Sequence, residues 1–375
     1  MKLNNVVNRI NGNVDRFTTE LEYYVGGEHF ESRELSITKR GLIKPNLNIL
    51  GFKFHFAFQT GDVLFMARNP HLRKAGMVMF DGLCSDASYI LRTKDENILS
   101  QKYLAVLLQT DHFWDYCESH KVGSVNFAIN WTTLANYEFE LPSIEEQRVL
   151  ADKFWAAYEL KEAYKKMIAA TDEMVKSQFI EMSKAWPVMK LNGHVDIIRG
   201  VSYKPSDVVS SLDANSVGIL RANNIANGEI NTNEMVYVDQ SRVSDAQRIR
   251  IGDIIVCASS GSQSLVGKAA INKNLTREYA HGAFCLLIRC NNTILPKYLN
   301  IYLQTALYRN QIESLSCGSN ILNIKADHLT SLDIPIPDIK QQSDFVTIIE
   351  QADKSKFELR QAIDKIDKVM KSLLQ

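Results

Sequence analysis

The chain has 375 residues, 45% of them hydrophobic, and its 43 Lys and Arg balance 43 Asp and Glu to a formal net charge of zero. That length supports two or three real cores. The charge balance speaks against an autonomous basic binder of polyanions, while leaving room for one whose partners supply positive charge. No apolar run is long enough to span a bilayer, since the best stretch, 49–58, is interrupted by Lys53 and His55.

The opening Met1-Lys2-Leu3-Asn4-Asn5 lacks the apolar region of a secretory signal, so a cytoplasmic location is expected. Strand candidates follow at 52–58, 63–66, 77–80 and 87–91. One helix is then expected over 101–118, with Leu104, Leu107, Leu108 and Phe113 on its apolar side. A Gly-Ser loop (Gly123-Ser124), a short segment at 125–131 and a final strand lead into Leu141-Pro142-Ser143-Ile144-Glu145-Glu146-Gln147. Proline stops the strand there, and Ser143-x-x-Glu146 is a capping box that launches a long helix. Alternating 4,3 spacing places Leu150, Phe154, Ala157, Lys161, Tyr164, Ile168, Thr171, Val175 and Gln178 on one coiled-coil seam. Trp186-Pro187 ends that helix, because proline is poorly tolerated in a helix interior.

The chain then repeats itself. Met1-Lys2-Leu3-Asn4 recurs as Met189-Lys190-Leu191-Asn192, and Gly61-Asp62-Val63-Leu64 as Gly252-Asp253-Ile254-Ile255. Lys102-Tyr103-Leu104 recurs as Lys297-Tyr298-Leu299, Leu108-Gln109-Thr110 as Leu303-Gln304-Thr305, and Gly123-Ser124 as Gly318-Ser319. The offset grows from 188 (189 − 1) through 191 (252 − 61) to 195 (297 − 102), as small loop insertions in the second copy would make it. That copy has strand candidates at 254–258, 268–271 and 284–289 and a helix over 296–312. It closes with Ile336-Pro337-Asp338-Ile339-Lys340-Gln341-Gln342, in which Asp338-x-x-Gln341 is the matching cap. The second seam is Phe345, Ile349, Ala352, Lys356, Leu359, Ile363, Ile366, Met370 and Leu373, so a lysine falls at the same place in both, Lys161 and Lys356. Each helix should run about 38 to 40 residues, or about 60 Å.

Two divergent units, each closed by a Leu/Ile-Pro-x-Ile-x-x-Gln cap and a long helix, resemble the specificity subunit of a Type I restriction-modification system. The resemblance covers the whole chain. It is best marked at the two caps, at Gly252-Asp253-Ile254 with Val266-Gly267-Lys268, and at Val188-Met189-Lys190-Leu191. It implies an α+β fold in which two duplicated α/β target-recognition domains are separated by two long antiparallel coiled-coil helices. The expected segments are a first domain at 1–141, a central spacer helix at 142–185, a second domain at 186–336 and a C-terminal spacer helix at 337–375. It further implies a non-catalytic chain that reads double-stranded DNA, one domain per half-site. Two methyltransferase subunits would dock on the helices and two restriction (motor-nuclease) subunits would join them. S-adenosylmethionine, Mg²⁺ and ATP would belong to those partners, with no cofactor in this chain.

Candidate DNA-binding residues lie in the loops that differ between copies. Arg68, Asn69, His71, Arg73 and Lys74 follow a strand, and Arg and Asn can make paired hydrogen bonds to guanine and adenine edges. The alternative is an ordinary solvated basic loop. The second copy has Ser259 to Lys268 in that place, where Ser260, Ser262 and Lys268 suit phosphates. This stretch is near a P-loop without being one, because Ala269 stands where the Mg²⁺-binding Ser or Thr would. Tyr203 and Lys204, and Arg221 with Asn223 and Asn224, occupy loop tips after strands, although Asn also simply forms turns. Gly123, Ser124 and Asn126, matched by Gly318, Ser319 and Asn320, read as shared phosphate contacts or as plain loop geometry.

The six cysteines (Cys84, Cys117, Cys257, Cys285, Cys290, Cys317) form no CxxC and have no His pair near them, which reads as free thiols and no metal site. No His-Glu-x-x-His, hydrolase signature or methyl-donor loop is present. The rival reading is a structural or protein-recognition adaptor that uses two duplicated modules on a helical spacer, and the zero net charge is its best support.

Overall fold

The computed structural model describes every residue except 47–49, 126, 211, 212, 214, 227, 263, 277, 317–322 and 375. The chain forms two compact units, Met1–Lys165 with Arg360–Gln375, and Lys166–Leu359. Each is α+β and each contains part of both long helices, Ile144–Ser183 and Ile339–Leu373.

In the first unit a five-stranded sheet runs in the order Val7–Ile10, Ser88–Thr93, Val63–Met66, Ala75–Val78, Ser36–Ile37. The first four pair antiparallel and the last joins in parallel. A second sheet holds Gly41–Leu42, Tyr23–Val25, Gly82–Ser85 and Phe54–Phe58. Alternate residues of Val63–Met66 face opposite cores: Val63 and Phe65 face the helices, Leu64 and Met66 the other sheet. Phe65 stacks on Trp114 at 5.6 Å and meets Phe113 edge-on, and Ala151, Phe154, Trp155 and Tyr158 of the first long helix join the same core.

The second unit repeats this plan. Val195–Arg199, Cys285–Cys290, Ile254–Cys257 and Ala269–Ile271 form an antiparallel sheet, and Val208–Val209, Val236–Asp239, Ser216–Leu220 and Tyr279–His281 form another. Phe179 and Phe345, one from each long helix, close a ring cluster with Trp186 and Tyr298.

The single helix expected in each copy is broken. It is Gln101–Leu107 then Asp111–Ser119 in the first, and Pro296–Tyr302 then Ala306–Ser316 in the second. The repeated Leu-Gln-Thr makes the break. Thr110 Oγ1 accepts from the Phe113 amide and Thr305 Oγ1 from the Tyr308 amide, so each threonine caps a new helix. The glutamine before it donates to a strand carbonyl, Gln109 to Ala75 at 3.1 Å and Gln304 to Ala269 at 3.0 Å.

Two other repeated motifs are joints as well. Gly61 and Gly252 turn with φ of +92° and +90°, a conformation that costs glycine little. The aspartate that follows is buried and makes a two-pronged ion pair, Asp62 with Arg92 (2.7 and 2.9 Å) and Asp253 with Arg289 (2.9 and 2.7 Å). Leu3 and Leu191, both fully buried, donate backbone bonds to Tyr137 and Leu332.

At the first long helix the capping box forms as expected. Ser143 N donates to Glu146 Oε2 at 2.9 Å and Glu146 N to Ser143 Oγ at 3.3 Å, and the Ser143 hydroxyl and amide hold the Glu146 carboxyl below the usual range. At the second, only the Asp338 half forms, from Gln341 N at 2.8 Å. The residue that reaches back in both copies is instead the next glutamine. Fully buried Gln147 donates to Ile98 and Pro142 carbonyls and accepts from Ser100 N. Fully buried Gln342 donates to Thr293 and Pro337 carbonyls and accepts from Leu295 N.

The seam lysines reach across to the opposite helix. In the first unit Lys161 pairs with Asp367 at 2.6 Å, and in the second Lys356 pairs with Asp172 at 2.6 Å. These are one contact made twice, since both the lysines and the aspartates stand 195 apart (356 − 161 and 367 − 172). Leu359, Ile363, Ile366, Met370 and Leu373 are half-buried, as expected for a seam covered from one side. Where the first helix meets its unit's core, the buried face is Ala151, Phe154, Trp155 and Tyr158 rather than the strict seam. A module core takes a broader apolar stripe than a single partner helix does.

Candidate functional site

The divergent loops of both units spring from the same backbone junction. In the first unit the Ala67 amide donates to Ala87 O at 2.8 Å and the Ala67 carbonyl accepts from Ile129 N at 2.9 Å. In the second, the Ala258 amide donates to Phe284 O at 2.9 Å and its carbonyl accepts from Ile324 N at 2.6 Å. The residues presented beside this frame differ. Arg68 bridges to Ala128 in the first, and Ser259 bridges to Asn323 in the second.

Arg68 and His71 are exposed, and the side chain of Arg68 has no hydrogen-bond or ion-pair partner among the described residues. Asn69 and Arg73 sit at φ of +53° and +51°, around the short turn Pro70–Leu72. Asn accepts that conformation more readily than most residues. Arg73 is half-buried and already paired, with Nη1 2.9 Å from Asp111 Oδ1, a carboxylate that Arg33 also binds. Lys74 donates to the Gly27 carbonyl at 2.8 Å. Of the five residues expected there, Arg68, Asn69 and His71 remain for a ligand, while Arg73 and Lys74 hold the loop.

In the second unit Ser262 and Lys268 are exposed and Ser260 is half-buried. The loop's far end is tied down by Tyr308 and Arg309, which donate to the Gly267 and Val266 carbonyls at 2.8 Å. Tyr203 and Arg221 are half-buried, and Lys204 and Asn223 are exposed. Asn224 is a correction. It is fully buried, with Oδ1 accepting from Arg221 N and Nδ2 donating to Asn233 O, so neither end is left to read a base. Arg221 spends one nitrogen on Glu234 O at 2.7 Å. Gly123 turns with φ of +109° and Ser124 is exposed. Asn126, Gly318, Ser319 and Asn320 lie outside the described residues.

The sequence reading passed over Phe284 and Asn323, both exposed at the junction, and the buried staples Gln147 and Gln342. The staples had a signal, since each is the last residue of a repeated motif. Phe284 had none, because its partner across the repeat is Ala87.

No group of His, Cys, Asp or Glu that could hold a metal is found among the described residues. The described cysteines are free, and burial pushes the Cys84 and Cys285 thiols up to about 12, which suits packing rather than nucleophilic chemistry. No described helix is long and apolar enough to cross a membrane.

A duplicated frame that presents different polar and aromatic side chains defines a two-module recognition scaffold. Residues 2–168 and 184–368 match the family model of the Type I restriction modification DNA specificity domain, and the chain belongs to that family. Over 185 residues it is 36% identical to the specificity subunit of the Type I restriction enzyme StySPI from Salmonella potsdam. It is 35% identical to that of EcoKI from Escherichia coli strain K12. Each match covers 48% of this chain and 40% of the relative, so it spans less than half the length of either. The S subunit of a Type I restriction-modification system from M. genitalium has the same fold, with a TM-score of 0.58 at 12% identity over 100% of this chain and 94% of that one. A chain from a type I R-M system solved for its complex assembly gives a TM-score of 0.56 at 16% identity over 100% and 95%.

Proposed function

We propose that this chain is the non-catalytic DNA-reading subunit of a Type I restriction-modification enzyme, and that each module reads one half of a bipartite target. The observation that carries this is the duplicated junction, which keeps its backbone bonds and changes the side chains it presents. Arg68, Asn69 and His71 are the first module's candidate readers. Tyr203, Lys204, Arg221, Asn223, Ser260, Ser262 and Lys268 serve the second, with Gly123 and Ser124 against phosphate. Each good paired contact to a base edge contributes roughly 1–3 kcal/mol of discrimination. The outer faces of the long helices dock two methyltransferase subunits, which take the target adenines out of the stack. Restriction subunits join that core. S-adenosylmethionine, Mg²⁺ and ATP act in those partners, in the cytoplasm.

The test is co-expression with a methyltransferase subunit and mapping of methylated adenines in the host genome. A motif of two fixed halves around an unspecified spacer supports the reading. Assembly without any methylation motif or duplex preference favours the adaptor reading, which the zero net charge fits.

A further inference from the structure

Phe284 is 70% exposed, yet its carbonyl and the amides on either side of it are all hydrogen-bonded. Its carbonyl accepts from both Ala258 N (2.9 Å) and Ser259 N (3.1 Å). The residue before it donates to Val201 O at 3.0 Å, and the residue after it to Gly282 O at 2.8 Å. The chain packs so closely here that a Cβ on Gly200 would fall 2.1 Å from the Gly282 carbonyl oxygen. A large apolar ring thus stands in water on a hydrogen-bonded backbone.

That ring borders a cavity of about 770 Å³ whose walls include Val201, Tyr203, Val208 and Val236, with Arg221 and Asn223 also lining it. Apolar walls flanked by hydrogen-bonding groups match the major-groove edge of an A·T pair. That edge offers a 5-methyl group beside acceptors and a donor. In the first module Ala87 holds the matching position, its carbonyl accepting from Ala67 N as that of Phe284 does from Ala258 N, and it presents a methyl group in place of the ring.

We propose that Phe284 is a specificity-determining residue that reads a thymine methyl group in the half-site of the second module. This rests on the reading of the chain as a DNA-recognition subunit. Burying one methyl contributes about a fourfold preference. The test uses the co-purified complex with its methyltransferase and duplexes of its mapped motif. Each thymine of the second half-site is replaced in turn by uracil, which lacks only the methyl. Wild type should lose about fourfold in affinity at one position, and Phe284→Ala should bind thymine and uracil there equally. Phe284→Leu should keep part of the difference. The alanine variant should fold, since an alanine, Ala87, accepts the matching bond from Ala67 N in the first module and the ring of Phe284 is exposed.

Two outcomes overturn the proposal: no uracil effect in wild type, or an undiminished effect in Phe284→Ala. If Phe284→Ala weakens binding while no position distinguishes thymine from uracil, the ring acts by stacking and the methyl reading is wrong. If wild type fails to distinguish its motif from a scrambled duplex, the underlying DNA reading falls with it. The first result is distinguishable from this last one because motif preference is measured on the same samples.

Discussion

The two junctions make the informative comparison. Ala67 and Ala258 make matching backbone bonds through amide and carbonyl, the glycine turns and Asp-Arg pairs match, and a buried glutamine staples each long helix to its module. What the junctions show to solvent differs: Arg68 against Ser259, Ala87 against Phe284, and Ala128 against Asn323. The repeated Leu-Gln-Thr, Gly-Asp and cap motifs and the buried Leu3 and Leu191 are joints, and most of the candidate contacts fall where the copies part. A frame held by buried polar bonds lets its surface vary without changing its shape. Each joint leaves donors or carboxylates unpaired when broken, which costs more than changing an exposed residue.

Breaking the frame should therefore hurt most. Asp253→Ala strips Arg289, a mostly buried guanidinium, of its two-pronged partner, and should cost about 3–5 kcal/mol. Asp62→Ala should cost less, because Arg92 has more solvent to turn to. Urea unfolding of the full chain checks both, and equal losses would remove this distinction between the modules. Gln342→Ala leaves the Leu295 amide and two carbonyls without their partner, for a loss of roughly 2–4 kcal/mol. Hydrogen exchange should speed at Leu295 and at the start of the second long helix, while amides at the first helix start stay protected. Uniform exchange across both modules would show that Gln342 is not a local staple.

Changing the surface should leave stability alone and alter reading. Arg68→Ala should forfeit roughly 1–3 kcal/mol of discrimination in one half-site with an unchanged melting temperature. The smallest effect belongs to the helix seam. Burial works against the charge of Asp353, but bonds from Lys356 and Lys273 outweigh it and hold the carboxyl below its ordinary value of 3.8. Burial likewise opposes the charge on Lys356, and its bonds to Asp172 and Asp353 outweigh that and raise its pKa above 10.5. The aspartate's folded value is depressed, so its contribution is complete above the unfolded value and is lost as pH falls through the lower folded one. The lysine's folded value is raised, so its contribution is complete below 10.5 and fades as pH rises through the higher folded one. Lys356→Met should cost about 1 kcal/mol at neutral pH, with the gap to wild type narrowing below pH 3.8 and above pH 10.5. A gap that stays constant with pH would contradict the assignment.

Much of the frame was legible in the sequence because repetition exposes it. The long helices, the Ser143 box, the Val63–Met66 strand and the paired lysines all follow from periodicity, capping chemistry or a matching offset. The helix break at Thr110 and Thr305 was hidden because apolar spacing continues across it, and only the hydroxyl cap and the glutamine bond reveal the stop. The candidate surface was harder to read. Composition marks Arg68, Arg73 and Lys74 alike as a basic loop, yet two of them spend their charge or donors on partners within the module. Asn224 has the right chemistry for adenine, but the fold turns it inward. Phe284 looks like a core residue in an apolar strand, and only its exposure in the fold shows that the ring faces out.

The central claim is that one frame carries two independent readers. The methylome of cells co-expressing a methyltransferase with either the wild-type chain or Arg68→Ala tests it most directly. The account predicts a two-part motif in the wild type, with one half degenerate and the other unchanged in the variant. Equal loosening of both halves would contradict it.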